Sequence, residues 1–134
     1  MTDYVPLDDR AKALLDAKEF ATVATVEPTG QPQLSVVWIK RDGDQAVFST
    51  IHGRRKTDNL FRNGQCSILV SPREDPGTYL ELRGTVDIIE DPESVLINEL
   101  SFKYLDVPYT FDEPGARRVI VRLKPYKMIW HTTE

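Results

Sequence analysis

The sequence predicts a single mainly β domain spanning residues 1–134, with about six antiparallel strands closing as a small barrel beside three helices. Three observations predict it. Short runs rich in β-branched residues recur along the chain. Hairpin-length turn signals join most of them, which favours antiparallel pairing. A long stretch from Thr78 to Glu90 alternates with a period of two: Leu80, Leu82, Gly84, Val86 and Ile88 fall on one face and Tyr79, Glu81, Arg83, Thr85 and Asp87 on the other. Closure into a barrel removes exposed strand edges.

The elements follow in order. Asp8 to Lys18 reads as a helix, capped by Asp8 or Asp9, with Ala11, Leu14, Leu15 and Ala17 as its inner face. Phe20–Val26 is the first strand, and Pro28-Thr29-Gly30 turns it. Gln33–Lys40 is the second, ended by the hairpin signal Asp42-Gly43-Asp44. Gln45–Thr50 is the third. A short basic helix follows Gly53 and stops at Asn63-Gly64, with glycine in the terminating position. Gln65–Ser71 is the fourth strand, Thr78–Glu90 the fifth. Asp91-Pro92-Glu93 opens a helix, with Asp91 as cap and Pro92 in the first turn; Val95, Leu96, Leu100 and Tyr104 recur at helical spacing. Asp106–Gly115 is an irregular loop. Arg117–Leu123 and Tyr126–Trp130 form a last long strand, interrupted at Pro125.

Composition narrows the function. The net charge of -4 argues against general nucleic-acid binding, which needs a basic face. The single cysteine, Cys66, excludes an internal disulfide and a multi-cysteine metal site, and its apolar run Cys66–Val70 points to a buried, inert thiol. No apolar run is long enough to span a membrane, and Met1–Tyr4 lacks the start of a secretory leader, so a cytoplasmic protein is expected. His52 and His131 are too few and too isolated for a metal site, and none is expected. No G-x-S-x-G, Walker or G-x-G-x-x-G sequence is present, so a self-contained hydrolytic site is not expected. An enzyme without an evident acid, base or nucleophile draws its chemistry from a cofactor.

One stretch stands out against the acidic background. Ser49 and Thr50 end the third strand, Gly53 turns the chain, and Arg54, Arg55 and Lys56 start a helix. Free N–H groups at a helix start and clustered cations suit a phosphate group. The competing reading is a solvated basic helix face. Arg54, Arg55 and Lys56 cannot all face one way on a regular helix, so Arg54 and Lys56 are the first candidates. Trp38 reads equally as part of the wall of a ring-cofactor slot and as a plain core or interface aromatic, and Lys40 either as a phosphate contact or as an exposed strand-end lysine. Tyr79 reads as packing or a dimer contact rather than a proton donor, and Arg83, on the polar side of its strand, as a surface cation.

Together, Gln31–Trp38, Phe48-Ser49-Thr50 with Gly53–Lys56 and Asn59-Leu60, and Tyr79–Gly84 resemble the flavin-binding split-barrel family, the pyridoxamine 5'-phosphate oxidase-like superfamily. The resemblance runs from about Phe20 to Trp130. The pattern Gly-Arg-x-Lys-x-x-Asn-Leu looks most like the branch that uses the deazaflavin coenzyme F-420. The resemblance implies a six-stranded split barrel forming a homodimer, with two cofactor sites across the subunit interface. It implies that Ser35, Val36, Val37 and Trp38 lie along the ring, that Ser49 and Thr50 approach the ribityl chain or phosphate, and that Arg54, Arg55 and Lys56 hold the phosphate, with Asn59 one turn beyond. It implies a coenzyme F-420-dependent oxidoreductase passing a hydride to a small electron-poor substrate. The alternatives are an FMN reductase or oxidase of the same fold and a non-catalytic module carrying a flavin or haem-type ligand. Trp130–Glu134 lacks the basic carboxy-terminal segment of the vitamin-synthesising members, so oxidation of pyridoxamine phosphate is not expected.

Overall fold

The structure is a computed structural model describing residues 3–132. Met1 and Thr2, part of the start read for a leader, and Thr133 and Glu134, at the end of the last segment quoted, lie outside it. Its elements are α1 (Asp9–Asp16), β1 (Ala21–Val26), β2 (Pro32–Val37), β3 (Lys40–Asp42), β4 (Gln45–Ile51), α2 (Arg55–Arg62), β5 (Gln65–Val70), β6 (Tyr79–Glu90), α3 (Val95–Leu105) and β7 (Arg118–His131). All strands belong to one antiparallel sheet in the order β2-β1-β5-β6-β7-β4-β3.

The sheet therefore has seven strands, not the expected six, and it is open rather than a closed barrel. The run Gln33–Lys40, read as one strand, is two. Its first part pairs with β1 at one edge of the sheet, and its continuation pairs with β4 at the other. Only Trp38 and Ile39 separate the two strands. Three residue steps span at most about 11 Å. The two edges thus come close at this seam and are joined by the chain itself, not by a hydrogen-bonded ladder. Periodicity is blind to this, because Ile39 continues the apolar pattern while the backbone changes partner.

Alternation sets the core. Val23, Ile68, Leu80, Leu82, Val121 and Leu123 fill the interior, with Leu15 of α1 packed on them. β4 is buried on both faces: Phe48 faces that core, while Val47 packs with Leu96 and Leu100 of α3 on the other side. Burying both faces of β4 fixes α3 over the seam.

Several local expectations shift. Pro125 does not interrupt β7, because the register slips between Arg83 and Gly84 and a bulge absorbs the ring. Gly84 is required there: a Cβ would lie 2.2 Å from the Lys124 carbonyl oxygen. α2 ends at Arg62 with Asn63 extended, and Gly64 does not take the left-handed conformation expected of a terminating glycine. Asp91 does cap α3, its carboxylate accepting from the N–H of Val95 (3.1 Å) and Leu96 (3.0 Å). The helix starts three residues beyond Pro92, after Ser94 in a left-handed conformation. Cys66 is buried, and burial pushes its thiol up to about 12. Among the described residues no helix is long and apolar enough to cross a membrane.

Candidate functional site

A cavity of about 250 Å³ opens between the end of β2, the start of α2, α3 and the loop before β7. Its two ends differ in chemistry.

One end is cationic. β4 ends at Ile51, and Gly53 turns the chain with φ 91°, a conformation that favours glycine. Arg54 and Lys56 then line the cavity from the start of α2. Lys56 is only 9% exposed, and its ammonium forms no hydrogen bond or ion pair among the described residues. Burial, and then the nearby charges of Arg54 and Arg118, hold its ammonium below the usual lysine range. Arg118, the first residue of β7, is 3% exposed. Its Nε and Nη2 donate to the Asp112 carboxylate at 2.9 and 2.7 Å, and Nη2 also donates to the Tyr109 hydroxyl at 3.1 Å. Nη1 reaches Ser49 Oγ at 3.4 Å. The hydrogen bond from Arg118 holds the Asp112 carboxyl below its ordinary range. Three cations thus meet one carboxylate. A buried charge is costly unless paired, so an anion placed at this end would offset the excess positive charge.

The other end is apolar and aromatic. Val36, Val37 and Trp38 form one wall, and Ile97 and Leu100 of α3 face it. Trp38 stacks on Tyr104 at 5.5 Å and meets Tyr109 edge-on at 6.2 Å. Tyr104 stacks in turn on Phe20, which also reaches the cavity. A slot with an aromatic wall and a few polar groups at one end suits a flat ring with an anionic tail.

A sequence profile of the pyridoxamine 5'-phosphate oxidase family matches residues 7–128. The chain belongs to that family. An F420 reductase structure is 31% identical, with a TM-score of 0.82, over 92% of this chain and 98% of its own. The conserved hypothetical protein Rv2991 from Mycobacterium tuberculosis is 23% identical, with a TM-score of 0.77, over 98% and 88% of the two chains. A putative pyridoxamine 5'-phosphate oxidase from Listeria innocua is 21% identical, with a TM-score of 0.70, over 91% and 95%. The last two likenesses show the fold alone.

In this family member, Val36, Val37, Trp38, Ser49, Arg54 and Lys56 line the cavity. Four other candidates do not. Arg55 points outward, its side chain 68% exposed and its Nη1 3.5 Å from Glu27. Alternation along β4 turns Thr50 away from Ser49, and its Oγ1 lies 3.0 Å from Thr57 Oγ1. Asn59 braces α2 against β1: Nδ2 donates to Thr25 Oγ1 at 3.0 Å, and Oδ1 accepts from Arg62. Ser35 lies one residue short of the wall, with its Oγ buried and without a hydrogen-bond partner among the described residues. Lys40 pairs with Glu99 at 2.8 Å, Tyr79 stacks on His131, and Arg83 pairs with Glu81.

Sequence reasoning missed Arg118, Asp112, Tyr109, Ile97, Leu100 and Phe20. For Arg118 a weak signal existed. It shares a face of β7 with Ile120, and Ile120 pairs with Ser49, so Arg118 sits diagonally across from a candidate. Only the strand order reveals that β4 and β7 are neighbours.

Proposed function

We propose that this chain is a coenzyme F-420-dependent oxidoreductase that transfers a hydride between the reduced deazaflavin and a small electron-poor organic substrate. The observation that carries the reading is Lys56: a buried ammonium without an anionic partner among the described residues, flanked by Arg54 and Arg118. A cofactor phosphate placed there would supply the missing charge, with hydrogen bonds from Arg54, Lys56 and Ser49. Val36, Val37 and Trp38 would lie along the ring, and Ile97 and Leu100 would keep water from its face. When bound, the reduced deazaflavin supplies the hydride. The protein's share is to hold, orient and shield; no side chain is assigned as a proton donor. The 31% identity with an F420 reductase over almost the full length of both chains supports F-420 as cofactor.

FMN carries a similar ring and phosphate and is the alternative. Titration with both separates them: tight FMN binding without F-420 binding replaces the first reading by a flavin enzyme. Persistent binding without reduction of any acceptor makes the protein a carrier.

The same reading includes a homodimer. Leu34 and Val36 on the edge strand β2 are 64% and 67% exposed, and Val36 also lines the cavity. A second copy covering them would close the open side of the site. Light scattering should give twice the chain mass; a monomer that binds cofactor fully contradicts this part.

A further inference from the structure

We propose that Tyr104 is a positioning residue for the ring end of the cavity: it fixes the seam between β2 and β3 and thereby the angle of Trp38. The proposal rests on the reading of that cavity as a ring-and-phosphate site.

Tyr104 does not line the cavity itself; it acts through its neighbour. At the seam the backbone changes strand partner, and Ile39, fully buried, has no ladder for its own N–H and C=O. Buried backbone groups require partners. Two adjacent side chains of α3 provide them. The Tyr104 hydroxyl oxygen accepts from Ile39 N at 3.2 Å. The ammonium of Lys103 donates to Ile39 O at 2.6 Å and to Leu15 O of α1 at 2.7 Å. The Tyr104 hydroxyl has one hydrogen, and the 2.5 Å contact to Glu19 O takes it in preference to the 3.2 Å contact to Ile39 O. The hydroxyl therefore ties the residue before Phe20 to the residue after Trp38. The ring between those ties stacks on both aromatics: Phe20 at 5.7 Å and 12°, Trp38 at 5.5 Å and 9°. Phe20 and Trp38 both reach the cavity. One side chain thus sets the spacing and tilt of two residues of the ring end, while among the described residues no hydrogen bond or ring contact joins it to Arg54, Lys56 or Arg118.

The test separates the two ends. In Tyr104→Phe an aromatic ring remains and the hydroxyl ties that hold it in register are lost. Riboflavin, a ring without phosphate, should bind about tenfold more weakly, as for loss of a hydrogen bond to buried backbone. Inorganic phosphate should bind within about twofold of the unaltered protein. In a Trp130→Phe background, Trp38 emission should shift to the red in Tyr104→Phe, because the indole loses its fixed place. Equal loss of both ligands, or unchanged riboflavin affinity and emission, overturns the proposal. If Tyr104→Phe fails to fold, near-ultraviolet circular dichroism of the unaltered protein decides. Riboflavin should change the aromatic band and phosphate should not; an unchanged band with riboflavin bound overturns the proposal. If the unaltered protein binds neither flavin nor deazaflavin, the cavity reading fails, whereas the emission shift still tests the role of Tyr104.

Discussion

The cationic end of the cavity takes Arg54 and Lys56 from one turn of chain after β4, whereas the aromatic end takes Phe20, Trp38 and Tyr109 from three separated segments and depends on Tyr104 from a fourth. The first end is set mainly by local geometry: a glycine turn and a helix start. The second exists only because α3 packs over the seam. The difference teaches that a cationic cluster can be written compactly in a chain, while an aromatic wall is assembled by topology. Arg118 is the exception, a cation delivered to the compact end by a distant strand.

The sharpest way to break that comparison is to remove the exception. Arg118→Met leaves Asp112 without its bidentate partner and should cost about 3 kcal/mol of stability, as for breaking a largely buried ion pair. Urea unfolding checks it. A loss below about 1 kcal/mol means that the cationic end stands without its long-range member. Lys56→Ala tests the compact part. Cofactor binding should weaken by about 1.5–3 kcal/mol, the range for hydrogen bonds to charged groups, in a calorimetric titration. An unchanged dissociation constant removes Lys56 from the phosphate site.

A smaller effect is expected from pH. Burial lowers Lys103 to about 8 and also lowers Lys56, so the unfolded chain, with both lysines near 10.5, binds more protons. Their contribution to stability therefore rises with pH from about 8 upward. Above pH 9 the raised Cys66 works in the opposite direction, because the unfolded thiol ionises first. Denaturant midpoints at pH 8 and 9 should show the rise, and Lys103→Met should flatten it; the same slope in that variant contradicts the assignment. Smallest of all is Arg55→Ala. Its side chain is 68% exposed and lies off the cavity, which predicts less than about 0.5 kcal/mol in cofactor binding. A loss matching that of Lys56→Ala would place Arg55 at the phosphate and undo the distinction between the two neighbours.

The legible parts of the fold follow the same division. β6 was readable because one face is core and the other is not, so its alternation is clean. Asp91 was readable as a cap because its carboxylate acts locally on Val95 and Leu96. The split of Gln33–Lys40 was not, since nothing in the apolar pattern marks where a strand leaves one edge and joins another. The same holds within the site. Helical geometry separates Arg54 and Lys56 from Arg55, and strand alternation separates Ser49 from Thr50. The burial of Arg118, by contrast, needs Asp112 and Tyr109 from a loop that carries no periodicity. Asn59 fits the family pattern, yet its amide is committed to Thr25 and Arg62, a structural demand that spacing does not reveal.

The position of the cofactor phosphate in a crystal of the complex with F-420 tests the central claim most directly. A phosphate oxygen is expected within hydrogen-bond distance of Lys56 Nζ, with Arg54 on the same group and the ring against Trp38. A bound cofactor whose phosphate lies away from Lys56, leaving that ammonium without an anion, contradicts it.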